Sequence, residues 1–597
     1  MRSRWMVLAL TVTVGAALAA PQAVGSTRQV ASTAVQAEAP AGAAAPMLDN
    51  GLAVDAPLMG WSGWGYLQRD PTAAKFKAQV DALVSSGLKD LGYNYANMDD
   101  FWYKCPGSQG PDVDSNGRWV TDGSLFPGSG SKDGMHVLGD YVHGKGLKYG
   151  LYVTPGISAQ AVAKKTKIAG TSYTADQIAM TSSASNFNCK GMRNIDFSKP
   201  GAQEFIDSWA QQFADWGVDY LKLDGVGPSK TADVRAWSEA LEKTGRPVAL
   251  NLSASLSASS TWSELSNSWR IDGDIGASPK GYSFPLTSWE NVYKRFDDAA
   301  KYQPYARKGG WNDLDSFGVG NGDNDGITPP QRQTNMALWA LASSQYMLGA
   351  DLTNLDPADK ALLANKRLIS IDQDGIPAAR VIKNGDQQVF TKREKNGTWY
   401  IGVFNTDTTS SHTFSVPLAQ LGLSGSAKIT DMINNDKPLG TVSTYTTSVA
   451  PGGVALVSAV PTSGTGGTGT LVSAGTGKCI DIDGNVYLPG TKTQIWDCNG
   501  GLNQLITPTS SGELRTMGAT ECLDVFENGT TPGTRVSQWN CHGGTSQKWT
   551  VKSDGTVVAQ KSGLCLDVKG GKTANGTELQ LWTCNGTDGQ TWTWAGR

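Results

Sequence analysis

Histidine is nearly absent from this 597-residue chain, which has four. Charge is sparse as well: 18% of residues are Asp, Glu, Lys or Arg, and 51 basic residues against 54 acidic ones leave a net charge of −3. There is no C-x-x-C pair, no G-x-G-x-x-G run opening a helix after a strand and, beyond residue 20, no apolar run of the roughly 18 residues that a membrane helix needs. Each absence excludes a class. So even a charge balance offers no electrostatic footprint to nucleic acid or to an anionic membrane. Scarce His and isolated Cys argue against a zinc site, and no motif calls for another metal or for a nucleotide cofactor. What the chain does have is 39% hydrophobic residues, 71 Gly and 20 Trp, enough for large packed cores in a soluble protein of several domains. Indole faces also stack on the C–H faces of sugar rings, and composition alone leaves both uses of Trp open.

Residues 1–4 carry two Arg, and the uncharged apolar stretch 5–20 ends in Ala17-Leu18-Ala19. This is the pattern of a cleavable secretory signal over 1–20, so the mature protein is expected outside the cell. Residues 21–46, rich in Ala, Gln, Ser and Pro, cannot bury enough surface to fold and read as a disordered leader. An exported chain with eight Cys can form four disulfides. Cys479/Cys498, Cys522/Cys541 and Cys565/Cys584 are each 19 apart and successive pairs are offset by 43, which leaves Cys105 and Cys189 to pair by elimination.

The 43-residue period extends beyond Cys: Cys-Ile-Asp at 479 is followed by Cys-Leu-Asp at 522 and 565, and Gln504-Leu505-Ile506 by Gln547-Lys548-Trp549 and Gln590-Thr591-Trp592. One such unit of short strands and Gly-rich turns cannot bury a core, whereas three packed about a pseudo-threefold axis can, so a β-trefoil is expected over 470–597. The repeat resembles the ricin-type lectins, carbohydrate-binding module family 13, whose signature is the Q-x-W triplet. That resemblance implies sugar sites at Asp481, Gln494, Trp496 and Asn503 in the first repeat and at Asp567, Gln580 and Trp582 in the third. The second keeps Asp524 and Trp539 but has Ser537 and Ser546 at the matching polar positions, so the first and third are the expected binders. The Gln and Trp of the triplet itself are expected to hold the core.

Between 47 and 377 short apolar runs alternate with helix-like segments. Strands are predicted at 58–61, 93–98, 149–153, 220–223, 248–252, 268–271, 310–312 and 345–348, and helices at 72–86, 200–216, 230–243, 288–301 and 330–342. Eight strands separated by helices predict a (β/α)8 barrel, in which chemistry belongs at the C-terminal ends of the strands. There the sequence repeatedly places carboxylates: Asp99, Asp100, Asp224, Asp272, Asp274, Asp313 and Asp315. With Trp61, Trp64, Trp102, Tyr152, Trp269 and Trp311 they are expected to line a cleft. In the absence of a His or Cys cluster, paired-carboxylate acid/base chemistry of the kind that cleaves glycosidic bonds is the simplest reading.

Met59-Gly60-Trp61, the run from Asn97 to Trp102, Gly150-Leu151-Tyr152, the run from Asp219 to Gly225, Trp269-Arg270 with Asp274, and Gly310-Trp311-Asn312-Asp313 resemble glycoside hydrolase family 27, the α-galactosidase group. The resemblance implies a retaining exo-glycosidase with Asp224 as nucleophile and Asp274 as general acid/base. It places Trp64, Asp99, Asp100, Tyr152, Lys222 and Arg270 around the sugar. Lys222, two residues before Asp224 on one strand, shares its face and favours the ionised carboxylate. Asp274 is expected in a less polar or like-charged surrounding that keeps its proton. Where relatives carry a Cys-Glu-Trp run after the fifth strand this chain has Ser253, so the sugar 2-hydroxyl is read differently here. An α-galactosidase acting on oligo- or polysaccharide leads, with β-L-arabinopyranosidase, α-N-acetylgalactosaminidase, isomalto-dextranase or a non-catalytic sugar-binding protein as alternatives. Residues 378–460 alternate as an antiparallel β domain does, which the resemblance implies is a sandwich, and the Gly/Thr-rich 461–469 reads as a flexible tether.

Overall fold

The computed structural model describes residues 56–253, 256–276, 283–434, 436–462 and 467–596. The signal and leader expected over 1–46 lie outside the described residues. No helix among the described residues is long and apolar enough to cross a membrane.

Eight short parallel strands form one curled sheet: β1 (Met59–Ser62), β2 (Tyr95–Asn97), β3 (Lys148–Val153), β4 (Val218–Leu223), β5 (Ala249–Leu252), β6 (Ser268–Arg270), β7 (Trp311–Asp313) and β8 (Tyr346–Leu348). They neighbour one another in chain order, with β8 beside β1. The Phe317 amide, just past β7, donates to the Met347 carbonyl at 2.9 Å and draws the two ends of the sheet together. Covered on both faces, the strands are almost wholly buried, which is why they read as unbroken apolar runs. Helices begin where a hydroxyl can take an orphan amide: Thr72 accepts from Lys75 ahead of Ala73–Ser85, and Ser288 accepts from Asn291 ahead of Trp289–Tyr302.

The barrel interior is layered. Tyr95, Tyr220, Ala249 and Met347 make an apolar floor. Asn251, two residues past Ala249, opens a polar layer: its Nδ2 donates to Ser268 Oγ at 2.8 Å and to Asp313 Oδ2 at 2.9 Å, and Gln345 Nε2 reaches Asp313 Oδ2 at 3.3 Å. Asn97 crosses to β3, where a Cβ on Gly150 would stand 1.9 Å from its Oδ1, so only glycine fits. Between β3 and β4 the chain makes a three-stranded antiparallel annex from Ile157–Ser158, Ala179–Ala184 and Met192–Ile195. The expected pair Cys105–Cys189 ties this annex to the segment after β2.

A six-stranded and a two-stranded antiparallel sheet follow over Ala379–Pro461, around a core that includes Trp399, Ile401, Val403, Leu421 and Ile429. Lys392 seals this sandwich to the barrel: fully buried, it bonds the Ala340 carbonyl at 3.2 Å and pairs with Asp374 at 2.8 Å. The trefoil carries the three expected repeat disulfides, Cys479–Cys498, Cys522–Cys541 and Cys565–Cys584, about a core of Leu471, Ile480, Leu523, Leu566, Trp549 and Trp592. Its repeats brace one another. Gly490, Gly533 and Gly576, each at positive φ, face the ring edges of Trp539, Trp582 and Trp496 of a neighbouring repeat at 3.3, 3.9 and 3.8 Å from where a Cβ would stand.

The segment expected as a tether, 461–469, is held at both ends. Pro461 ends a strand, Thr462 donates to the Ser426 carbonyl at 2.9 Å, and the Gly469 and Ile506 backbones bond each other, while 463–466 lie outside the described residues. The trefoil is docked: the Arg393 amide of the sandwich donates to the Gly518 carbonyl at 3.0 Å, and Ala519 enters the sandwich core. Composition showed a Gly/Thr run and gave no sign of the buried turn, 50 residues later, that does the docking.

Candidate active site

The side chains at the C-terminal ends of the barrel strands form two charged constellations. In the first, Lys222 of β4 points into the barrel mouth and its Nζ meets Asp99 Oδ2 at 2.8 Å. Although burial opposes its charge, the neighbouring carboxylates of Asp99, Asp224 and Asp274 hold the Lys222 ammonium well above the usual lysine range. One cation therefore senses three acids from three different strand ends. Asp224, directly after β4, accepts from Tyr152 OH at 3.1 Å on Oδ2 and from the Gly225 amide at 2.8 Å on Oδ1. Gly225 is at φ +72°, a conformation that suits glycine and aims its amide back at the carboxylate.

Asp100 is buried and takes the Phe101 amide on Oδ1 at 2.7 Å, while its Oδ2 is buried without a protein partner. Burial pushes this carboxyl up to about 7, against the amide of Phe101 and the Tyr103 hydroxyl, which favour its charge. Phe101 itself is at φ +71°, a strained setting for a side chain with a Cβ and one of two such residues at this mouth, Asp315 at φ +82° being the other.

The second constellation centres on Arg270 of β6, which is buried and grips Asp274 Oδ1 and Asp315 Oδ1, each at 3.1 Å. Burial works to raise the Asp274 carboxyl, but the charges of Arg270 and Lys222, with hydrogen bonds from Arg270 and Trp64, outweigh it and hold the group below its ordinary value. The expectation of a proton-retaining surrounding is thus corrected: in the free protein Asp274 is a paired carboxylate, because the two cations of the mouth converge on it. Asp272, its rival in sequence, faces away and pairs with Arg295 at 2.5 Å.

Arg295 is a residue that sequence reading missed. Buried on the helix Trp289–Tyr302, it bonds the Leu314 carbonyl at 3.1 Å, the Gly273 carbonyl at 2.5 Å and Asp272, and so fixes the loop that carries Asp274. From the other side Asp315 Oδ2 takes the Ile275 amide at 2.7 Å. An Arg in a helix otherwise patterned for the surface was the only signal, and its target lies about 20 residues away in sequence.

Of the expected aromatic lining, Trp61, Trp102, Trp269 and Trp311 are core residues, fully buried, with Trp61 and Trp102 bonded to the carbonyls of Ala350 and Tyr152. Trp64 stands at the mouth, stacked on Phe101 at 6.4 Å. For Trp61, Trp269 and Trp311 the correction follows from strand geometry, since alternate residues of so short a strand point outward to the helices. Ser253 is buried just past β5, where its amide donates to the Leu223 carbonyl at 2.9 Å and its carbonyl accepts from Val226 at 3.2 Å, so it joins the fifth strand to the Asp224 turn.

In the trefoil, Gln494 and Asn503 converge on Asp481 at 3.1 and 2.9 Å, and Gln494 Oε1 is buried without a partner. Gln580 meets Asp567 at 2.9 Å. In the second repeat His542 and Ser546 hold Asp524 Oδ2, at 3.2 and 3.0 Å. Trp496, Trp539 and Trp582 are exposed at 40, 37 and 41%, unlike Trp549 and Trp592, whose indoles bond the Leu523 and Leu566 carbonyls inside the core.

Comparison with known proteins gives the same three parts. Residues 57–181 and 187–374 match the family profile "Alpha galactosidase A", 384–459 match "Alpha galactosidase C-terminal beta sandwich domain" and 467–592 match "Ricin-type beta-trefoil lectin domain". Alpha-galactosidase 2 of Arabidopsis thaliana is 31% identical over 395 residues, 65% of this chain and 83% of that protein. The alpha-N-acetylgalactosaminidase of Gallus gallus is 28% identical over 441 residues, 68% of this chain and 94% of that protein. A solved family 27 β-L-arabinopyranosidase from Geobacillus stearothermophilus is 28% identical with a TM-score of 0.64, over 70% of this chain and 99% of that one. The chain belongs to glycoside hydrolase family 27, the α-galactosidase family, and ends in a ricin-type β-trefoil lectin domain.

Proposed function

We propose that the protein is a secreted retaining exo-glycosidase that releases terminal α-D-galactose from oligo- or polysaccharide. The observation that carries this reading is the Lys222 ammonium shared by Asp99, Asp224 and Asp274 at the barrel mouth. Asp224, oriented by Tyr152 and the Gly225 amide, attacks the anomeric carbon as the glycosidic C–O bond breaks, and Asp274 gives its proton to the departing oxygen. Water then attacks the glycosyl ester, Asp274 takes the proton of that water, and Asp224 is released as carboxylate with anomeric configuration retained. Asp99, Lys222 and the unpartnered Oδ2 of Asp100 supply donors and acceptors for the sugar hydroxyls, and Trp64 and Arg270 frame the acid. Ser253, set beside the Asp224 turn, replaces a longer acidic reader of the 2-hydroxyl.

Because Arg270 holds the Asp274 carboxyl below its ordinary value, the proton it must donate becomes more available as pH falls. The trefoil holds the polymer through the first and third repeats, where Asp481 and Asp567 keep amide partners and an exposed Trp. β-L-Arabinopyranosides share the ring stereochemistry of galactose without its C6 arm, and the likeness to the Geobacillus enzyme makes them the second reading.

Release of nitrophenol from α-D-galactoside, β-L-arabinopyranoside, α-N-acetylgalactosaminide and α-D-glucoside, with Asp224→Asn as the blank, tests this. Galactoside turnover that the substitution abolishes supports the proposal. Preference for another glycoside moves the specificity, and activity on none removes the enzymatic reading in favour of a sugar-binding protein.

A further inference from the structure

The annex between β3 and β4 ends beside the proposed nucleophile. Its segment 185–188 leads to Cys189, held by the disulfide to Cys105, and is pinned from within: Asn186 Oδ1 accepts from Tyr103 OH at 3.0 Å and from the Cys189 amide at 2.5 Å, and its Nδ2 reaches Thr154 Oγ1 at 3.4 Å. Tyr103 in turn lies close enough to Asp100 to feel its charge. The segment is therefore locked to the floor of the site. What it presents is Phe187, 57% exposed and the most exposed large hydrophobic side chain among the described residues. Its ring edge lies 3.4 Å from where a Cβ on Gly225 would stand, so it rests against the residue directly after Asp224. Among the described residues it stacks on no other ring.

An exposed phenyl ring on a pinned segment offers an apolar face that a bound ring can cover. The groups that read the sugar, Asp99, Asp100, Tyr152 and Arg270, are buried, whereas Phe187 is too exposed to belong to that floor. In a pocket entered from its mouth, what stands at the rim beyond the first sugar is the leaving group. We propose that Phe187 is the aglycone platform, stacking on the apolar face of a second sugar ring and setting the preference for oligosaccharide over simple glycosides. This rests on the glycosidase reading above.

The test measures kcat/KM for a methyl glycoside and for a trisaccharide of the same terminal sugar, in the full chain, with Phe187→Ala and Phe187→Trp. The terminal sugar is whichever one the wild type cleaves, so wild-type turnover decides the function and the ratio between substrates decides the platform. Expected is an about tenfold fall in the trisaccharide-to-methyl ratio for Phe187→Ala, restored by Phe187→Trp. An unchanged ratio, or an equal loss on both substrates that Phe187→Trp does not recover, overturns the platform. A wild type that cleaves neither overturns both.

Discussion

Arg270 holds two carboxylates with one guanidinium, and only one of them is an acid in the proposed reaction. Its grip on Asp315 shapes the turn at φ +82°, while its grip on Asp274 sets when a proton is available there. Removing the cation takes away the largest charge that lowers the Asp274 carboxyl, and so raises it. The basic limb of the kcat/KM profile in Arg270→Met is therefore expected to move to higher pH by about one unit, with a lower maximum because the sugar loses a contact. A pH–rate profile of the variant checks this, and an unmoved limb assigns the proton to another group. At neutral pH the wild type should be slower than at mildly acidic pH, since the fraction of protonated Asp274 falls as pH rises through its lowered value.

At the level of elements, the helix Trp289–Tyr302 does more than cover the sheet. Through Arg295 it fixes the loop bearing Asp274, and Arg295→Met is expected to lower kcat about 10²-fold with a smaller change in KM, since a displaced acid fails in the transition state more than in binding. Steady-state kinetics beside a far-UV spectrum separates this from unfolding. Gly150→Ala, which puts a methyl into the Asn97 side chain, is expected to cost about 1–3 kcal/mol in denaturant unfolding.

The barrel strands were legible because burial on both faces makes each an apolar run, and five helices because their stripes and caps are strong. The helix Gly134–Gly144 was not, since three Gly weaken its propensity. The reason for one of them is tertiary: a Cβ on Gly139 would stand 2.4 Å from the Trp216 carbonyl. The annex escaped notice because its strand Ala179–Ala184 is small, polar and mostly exposed. Of the site, the acids that follow strands were visible as residues, but their pairing was not, because Arg270 and Arg295 select Asp274 and Asp272 respectively by direction in space.

For the whole molecule, the docked trefoil has a chemical cost at its seam. Glu521, fully buried there with Gln303 of the barrel as its polar neighbour, is pushed by burial well above the carboxylate range. The folded protein keeps that proton while the unfolded chain releases it, so stability is highest below the ordinary Glu value and declines as pH rises above it. Glu521→Gln is expected to raise Tm at pH 8 and to change it little at pH 4, which calorimetry at the two pH values resolves.

The ring of Gly490, Gly533 and Gly576 under the three exposed Trp has a different kind of consequence. Each repeat borrows its neighbour's bare backbone to steady its own indole, so the shape of the trefoil is common property while the polar residues around each Asp are private. His542 and Ser546 at Asp524, against amides at Asp481 and Asp567, are such a private change. One repeat can therefore change the residues around its Asp while the other two keep theirs, with the shared scaffold unaltered.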